Sequence, residues 1–551
     1  MNKKAVVRKA RLALLLAAGA AIVAGCMGAG GESRYVTLDV PAERLRTIDT
    51  LDLKEMSVPE AAAPGAPTPL AEGISSTEAM LTLEECRAIA LENNLELKVV
   101  LVEPTISAEN VTQEEARFES SLFSNLRYAI TDTPTASALE SSQTKLTSGE
   151  LGVNIPLRTG GMITFDVPTS KFTTSSAFAT LPTSYGSTFS ASITQPLLRG
   201  AWDKYNTYGI RIARYGRQMG EAQTKLEVMR IIAAIDKVYW QLYAAQRELE
   251  VRRNEYDLAV AQLERAKRLV QAGKSTEVEI VRAETGVAEK LESIILAENV
   301  ARLRERDLKR ALGKPGLGME TPTAVTPLTK PDPVHYNLDR AMLVKGAFDN
   351  RMELLELELQ IAADARTIDI RRSEVLPSLA LGYTYTVNGL GTTFGDSLDQ
   401  LNEKRFEDHS VSLGLSIPLG NAAARSRLRQ AIARRVQRLA TRESRRAEIQ
   451  QEVLNAVDQI DTNWQRVLAN RQRTILAARN LEAETRQFEL GLRTSTDVLE
   501  AQTRLGNAQS AEISSLVEYQ IAQVDLAYAT GTLLGAARVE WAPGASGIAA
   551  K

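Results

Sequence analysis

Gly273-Lys274-Ser275-Thr276-Glu277-Val278-Glu279-Ile280-Val281-Arg282-Ala283-Glu284-Thr285 returns later in the chain as Gly491-Leu492-Arg493-Thr494-Ser495-Thr496-Asp497-Val498-Leu499-Glu500-Ala501-Gln502-Thr503. With the glycines superposed, Thr276 meets Thr494, Glu279 meets Asp497, Ala283 meets Ala501 and Thr285 meets Thr503. The register continues without a gap to Asp307-Leu308 against Asp525-Leu526 and to Gly313 against Gly531. Each copy reads as a long helical run, a glycine at its end, a Ser/Thr able to cap, and a second helical run. A sharp helical hairpin used twice in tandem predicts two copies of one large unit rather than several unrelated domains.

Outward from the two turns, the same order of elements recurs. In the first copy the expected helices are 82–118, with Thr82 and Glu85 as a capping box, then 202–271 and 275–312. Between the first two, Leu126, Tyr128 and Ile130 alternate with Arg127, Ala129 and Thr131. Leu151 to Leu157, Ile163 to Val167 and Phe189 to Ile193 alternate likewise, which predicts strands with one apolar and one small or polar face. In the second copy helices are expected at 342–375, 423–490 and 495–531. The strands there are Leu379 to Val387 and Val411 to Ile417. Pro196-Leu197 and Pro418-Leu419 close the two strand regions, and Asn93-Asn94-Leu95-Glu96-Leu97 is echoed by Asn350-Arg351-Met352-Glu353-Leu354.

The two longest helices, of about 70 residues, would each span roughly 100 Å. The shorter pairs sum to the same length, so one long helix is expected beside two short ones stacked end to end. Strands then gather at one pole and glycine turns at the other. The strand segments approach the ~10 residues that cross an outer membrane. One chain supplies too few for a closed barrel, and open edges are not tolerated in lipid, so several chains are expected to share one. The first copy spends about 75 residues between Ser121 and Pro196, the second about 40 between Ser378 and Pro418. The surplus reads as an extra hairpin around Thr159-Gly160-Gly161, expected to extend or cap two membrane strands from each copy.

The N-terminus carries Lys3, Lys4, Arg8, Lys9 and Arg11, then an apolar stretch from Leu12 to Ile22 ending in Val23-Ala24-Gly25-Cys26. This resembles the lipobox of bacterial lipoproteins and implies a signal peptide over 1–25 with lipid attachment at Cys26. A flexible, Pro/Ala/Gly-rich tether is expected over 26–80. The repeats are assigned to 81–315 and 337–534, joined by a Pro-rich connector over 316–336 and followed by a tail over 535–551.

Two histidines, two cysteines and a net charge of −2 leave little from which to build a metal or thiol site, and give no general pull toward nucleic acid. The dense run Arg425, Arg427, Arg429, Arg434, Arg435, Arg438, Arg442, Arg445 and Arg446 lacks interleaved aromatics, so a solvent-facing helix or contact with headgroup phosphates is expected instead. No nucleophile–base pair or phosphate-binding loop is found. The expectation is a protein without cofactor or metal that is not an enzyme.

Taken jointly, the tandem repeat, the glycine-turn segments, the Pro-Leu strand exits and the Asn-x-x-Glu-Leu entries resemble the outer-membrane efflux protein (TolC-like) family, over about 81–534. The resemblance implies an α+β membrane protein of long antiparallel coiled-coil helices forming a periplasmic α-barrel, plus a trimeric outer-membrane β-barrel of roughly twelve strands. It implies a homotrimer in the outer membrane that serves as exit duct for an inner-membrane pump and a periplasmic adaptor protein. The adaptor-contact tips correspond to Gly273 and Thr276, and to Gly491, Leu492 and Thr494. Asp497, Glu500 and Glu279 correspond to a pore constriction, and Arg493 with Glu279 to a polar latch that holds the closed state. Phe488 stands where some members carry tyrosine. Asp497 and Glu500 lie one turn apart on a helix, and three-fold symmetry would make a ring of their carboxylates. The rival reading is a structural or adhesive envelope spacer, for which the charged tips are capping residues and solvated helix surface.

Overall fold

The chain divides into residues 1–73 and 74–551, and every described residue lies in the second unit. The computed structural model describes residues 78–134, 141–176, 178–273, 276–490, 492–540 and 549–550. The signal peptide, Cys26, most of the tether, Gly491 and most of the C-terminal tail fall outside them.

After a short strand β1 (Glu78–Leu81), the expected first helix is three: α1 (Leu83–Asn93), α2 (Leu95–Val100) and α3 (Glu103–Glu115). The breaks have local causes. Asn94 leaves the helical region and accepts the Leu97 N–H at 2.9 Å, restarting the helix as its N-cap. Pro104 stands in the first turn of α3, where its missing N–H costs nothing. Thr82 and Glu85 form the reciprocal capping box that opens α1.

Four strands follow, β2 (Ser121–Asp132), β3 (Gln143–Pro156), β4 (Met162–Thr174) and β5 (Thr183–Pro196). Then come the long helix α4 (Tyr208–Gln271) and α5 (Glu277–Leu312). A short strand β6 (Ala324–Pro327) pairs in parallel with β1. Further along come α6 (Arg340–Asn350), α7 (Met352–Val375), β7 (Ser378–Gly391), α8 (Phe394–Asn402), β8 (Phe406–Ser416), α9 (Ala422–Glu489) and α10 (Ser495–Ala529), before a last short helical turn at Leu533–Ala536.

The sheet is a single antiparallel meander of six strands in the order β2-β3-β4-β5-β7-β8. The surplus hairpin of the first copy is β3–β4, and it lies inside this sheet rather than capping it. The sheet thus takes four strands from the first copy and two from the second, and the hairpin stands within it instead of extending or capping two strands from each copy. The alternation at Leu151 to Leu157 and Ile163 to Val167 marks only part of β3 and β4, whose Ser/Thr-rich halves read as loop yet pair as well. Helix α8, also unexpected, packs on the far end of β7 and β5. There a Cβ on Gly389 would overlap the Ser397 carbonyl, and the Ser187 and Ser397 hydroxyls lie 2.8 Å apart.

Long helix α4 packs along α5 in one half and along α3 and α7 in the other; α9 packs along α10 and then along α7 and α6. The main core gathers on the stripe Val228, Ile231, Ile232, Ile235, Tyr239 and Leu242 of α4, closed by Leu308 and Leu312 of α5 and by Leu97. The two helix junctions share one device. Asn94 donates to the Ala311 carbonyl at 2.7 Å, and Arg351 to the Ala529 carbonyl at 3.2 Å, so each caps the last turn of the short helix stacked against it. Gly313 and Gly531, both at positive φ, turn the chain there; a Cβ on either would meet the backbone of Asn93 or Asn350 at 3.0 Å. The Asn-x-x-Glu-Leu echo thus marks where stacked helices meet.

Among the described residues, no helix is long and apolar enough to cross a membrane, and no His/Cys/Asp/Glu group could hold a metal ion.

Candidate functional site

The tips of the α4–α5 and α9–α10 hairpins collect most of the residues singled out in the sequence. Gly273 has φ +67°, the left-handed conformation that ends α4. Thr276 is the N-cap of α5 by backbone position, but its hydroxyl makes no capping bond. Thr494 does cap α10: its N–H and hydroxyl both donate to Asp497 Oδ2 at 2.8 Å, and its oxygen accepts the Asp497 N–H at 3.4 Å. These bonds, with the nearby Arg493 charge, hold the Asp497 carboxyl below the usual aspartate range. Glu500 pairs with Arg504 one turn along at 2.6 Å, on the exposed face of the same helix. Leu490 and Leu492 stand 74% and 72% exposed, an unusual degree for leucine, and give the second tip an apolar point.

Arg493 and Glu279 do not meet within one chain. Arg493 turns back to Gln487 at 3.0 Å and Glu484 at 3.2 Å. Glu279 instead accepts the Ser495 N–H at 3.1 Å and pairs with Arg282 at 2.7 Å. The hairpins are nevertheless joined across the tips. Besides Glu279–Ser495, Gln262 donates to the buried Ser495 hydroxyl at 3.2 Å, and Arg265 lies 3.5 Å from Glu489. Phe488, near the end of α9, is buried.

A second polar joint, deeper along the hairpins, was not anticipated. Glu255 of α4 is 3% exposed; its Oε2 lies 3.0 Å from Arg252 and 3.5 Å from Lys290 of α5. Lys290 also donates to Thr503 of α10 at 3.0 Å, and Arg252 approaches Ser510 at 3.4 Å. Glu255 Oε1 has no hydrogen-bond partner and lies where a Cβ on Gly506 would overlap it. The joint sits about 24 Å from the tip by helical rise. The sequence did carry a signal: Glu255 falls in the buried series Val251, Ala259, Gln262, Ala266, and Lys290 in the series Ala283, Gly286, Ile294. A charge on an otherwise apolar seam marks a polar contact between helices.

The arginine run of α9 divides. Arg438 pairs with Asp364 of α7 at 2.6 Å, Arg445 bridges Glu353, Glu448 and Glu452, and Arg446 lies over the Phe348 ring at 4.6 Å. Those from Arg425 to Arg435 remain exposed. His335 leans on Trp464, and His409 lies on β8 beside Tyr383.

Residues 343–532 match the model of the outer membrane efflux protein family. Outer membrane protein TolC of Vibrio cholerae is 25% identical over 360 residues, covering 64% of this chain and 77% of its own length. TolC of Escherichia coli is 28% identical over 211 residues, covering 37% and 41%. The fold is shared with the outer membrane protein VceC of Vibrio cholerae (TM-score 0.61, 15% identity, 82% of this chain and 96% of that one). It is shared also with the CmeC outer membrane channel of Campylobacter jejuni (TM-score 0.61, 14%, 87% and 94%). Residues 343–532 thus match an outer membrane efflux protein domain, and the chain is similar to TolC over 360 residues.

Proposed function

We propose that this protein is the outer-membrane exit duct of a tripartite export system. Three copies close their sheets into one barrel, their hairpins form a tunnel reaching into the periplasm, and an inner-membrane pump with a periplasmic adaptor delivers cargo to the tips. The observation that carries this reading is the join of two unlike parts in one chain. A sheet whose apolar face and exposed edges suit a shared membrane barrel continues directly into paired helical hairpins. TolC-like channels are trimers that work with such pumps and adaptors.

In this reading Cys26 carries the lipid anchor, and 81–315 and 337–534 are the two repeats. The exposed Leu490 and Leu492 with the Gly273, Thr276, Gly491 and Thr494 turns meet the adaptor. Asp497 and Glu500 from three copies line the constriction. Asp497 suits that role because its capping bonds fix the carboxylate and keep it ionised. Glu279, through Ser495, holds the two hairpins together at the mouth, and Arg493 is available to a neighbouring copy once it leaves Glu484.

The test is single-channel conductance of the purified protein in planar bilayers. Replacing Asp497 and Glu500 together by alanine should raise conductance and reduce cation preference. Unchanged conductance and selectivity would remove the carboxylate ring, and absence of any channel would favour the envelope spacer.

A further inference from the structure

We infer that all six strands of each chain enter the membrane barrel, so that three copies build a barrel of eighteen strands. The inference rests on the proposed trimeric channel and departs from the roughly twelve strands that the family resemblance implies. It begins with the register. Residues directly opposite one another on neighbouring strands project to the same face, so the ladder fixes which side chains share a surface.

From β2 through β8 one face carries Leu122, Leu126, Tyr128 and Ile130, then Leu151, Val153 and Ile155, then Ile163, Phe165 and Val167. It continues with Phe189 and Ile193, then Leu381, Tyr383, Tyr385 and Val387, and ends with Val411, Leu413 and Leu415. The opposite face carries Asn125, Ser148, Asn154, Thr164, Asp166, Ser190, Ser192, Thr384, Thr386 and Ser412. The β3–β4 hairpin therefore keeps Leu151, Val153, Ile155, Ile163, Phe165 and Val167 on the face that carries the apolar residues of the flanking strands, and beyond them that face turns polar at Thr147, Lys145, Thr169 and Lys171. A hairpin standing clear of the bilayer would have no reason to keep Leu151, Val153, Phe165 and Val167 on one side, 37% to 53% exposed where exposure is high.

Topology adds a second argument. The hairpin is not appended to an edge: β2 touches the sheet only through β3, and β3 only through β4. Removing β3–β4 from the membrane would leave β2, with Leu126 87% exposed, without a partner in its own chain. β3 and β4 pair at thirteen positions and β5 and β7 at twelve, so the surplus hairpin is held as firmly as the join between the two repeats. Pro168 interrupts only the ladder to β5, which resumes in register at Thr169↔Ser187.

The occupant of the two open edges is a second copy of this chain. With six alternating strands β2 and β8 run in opposite directions, so β2 of one copy meets β8 of the next as an antiparallel pair, and neither edge is left bare in lipid. Because barrel diameter grows roughly linearly with strand number, the lumen would be about half again as wide as that of a twelve-stranded barrel. Its wall would be mostly Ser, Thr and Asn, with Arg127, Glu150, Asp166 and Asp408 among them, suited to an aqueous passage.

The experiment places single cysteines in the full-length protein, labels them with bimane and reconstitutes it with doxyl-labelled phospholipid. Buried Cys86 stays unlabelled. Leu381→Cys and Leu413→Cys are outer-face controls on undisputed strands; Thr384→Cys and Ser412→Cys are inner-face controls. Leu151→Cys, Phe165→Cys and Val167→Cys should lose as much fluorescence to doxyl lipid as the outer controls. Ser148→Cys and Thr164→Cys should escape it and be quenched by aqueous iodide. If the outer controls are quenched by lipid and the hairpin positions by iodide alone, the eighteen-stranded barrel is overturned while the channel reading stands. If the outer controls are not quenched by lipid, the channel reading and the inference with it are both overturned.

Discussion

The buried joint of Glu255, Arg252 and Lys290 gives the sharpest quantitative test of how the two hairpins are held. Glu255 and Lys290 are 3.5 Å apart with side chains 3% and 11% exposed, on α4 and α5, and Lys290 reaches on to Thr503 of α10. At an effective dielectric near 20 the bare attraction is about 5 kcal/mol. Desolvation of two nearly buried charges offsets most of it, leaving a coupling of about 1–2 kcal/mol. Glu255→Ala should destabilise by about 2–3 kcal/mol, less than the full effect of breaking a buried pair, because Arg252 retains Glu248 at 2.5 Å and Lys290 retains Thr503. Lys290→Met should be milder, since the methionine fills the same seam and Arg252 still neutralises Glu255. The assay is a double-mutant cycle read by thermal unfolding in detergent, with hydrogen exchange over the α10 peptides as local readout. Coupling below about 0.5 kcal/mol would refute the claim that this pair joins the hairpins. The same cycle on conductance asks whether loosening the joint also loosens the mouth.

Other expectations follow from equally local geometry. Arg87 grips Asp236 with two bonds of 2.8 and 2.7 Å, and Asp236 is fully buried. Arg87→Ala should cost about 3–5 kcal/mol in thermal unfolding, and Arg87→Lys less, since the charge survives but the paired bonds do not. Burial pushes the Cys86 thiol from 9.0 up to about 12. A chromogenic disulfide reagent at pH 8 should therefore leave it intact until the protein is unfolded, and prompt reaction in the native state would contradict its burial. Because this pKa is raised, its contribution to stability is present below about 9 and is lost as pH rises toward 12. Asp497 has the opposite sign: its pKa is lowered, so the Thr494 cap holds above the ordinary aspartate range and is lost as pH falls through the depressed value. Hydrogen exchange at the start of α10, corrected for intrinsic rates, should rise under acid in the native protein and show no such step in Asp497→Asn.

Much of the fold was legible because its signals are local. The seam Ile449, Val453, Val457, Ile460 and Val467 repeats at coiled-coil spacing and is buried as that spacing requires. Glycines and capping threonines set the helix ends within a few residues, as at Thr82 and Thr494. The breaks at Asn94 and Arg351 were visible only as an echo between copies. Their purpose, capping the carbonyls of Ala311 and Ala529, depends on which helix stacks against them. The tips were legible as a motif but not as a network: Arg493 chooses Glu484 over Glu279, a matter of side-chain reach across folded helices.

The sequence by itself determined the two hairpins of the Gly273 and Gly491 segments, the long helices between them and the alternation of the strands. Each of these follows from the period of the backbone, 3.6 or 2 residues, acting on nearby side chains. Tertiary structure alone decided that β3 and β4 stand in the middle of one sheet, because strand order depends on partners far along the chain. It alone also brought Glu255, Lys290 and Thr503 together, since the three come from separate helices whose contact no spacing along the chain can encode.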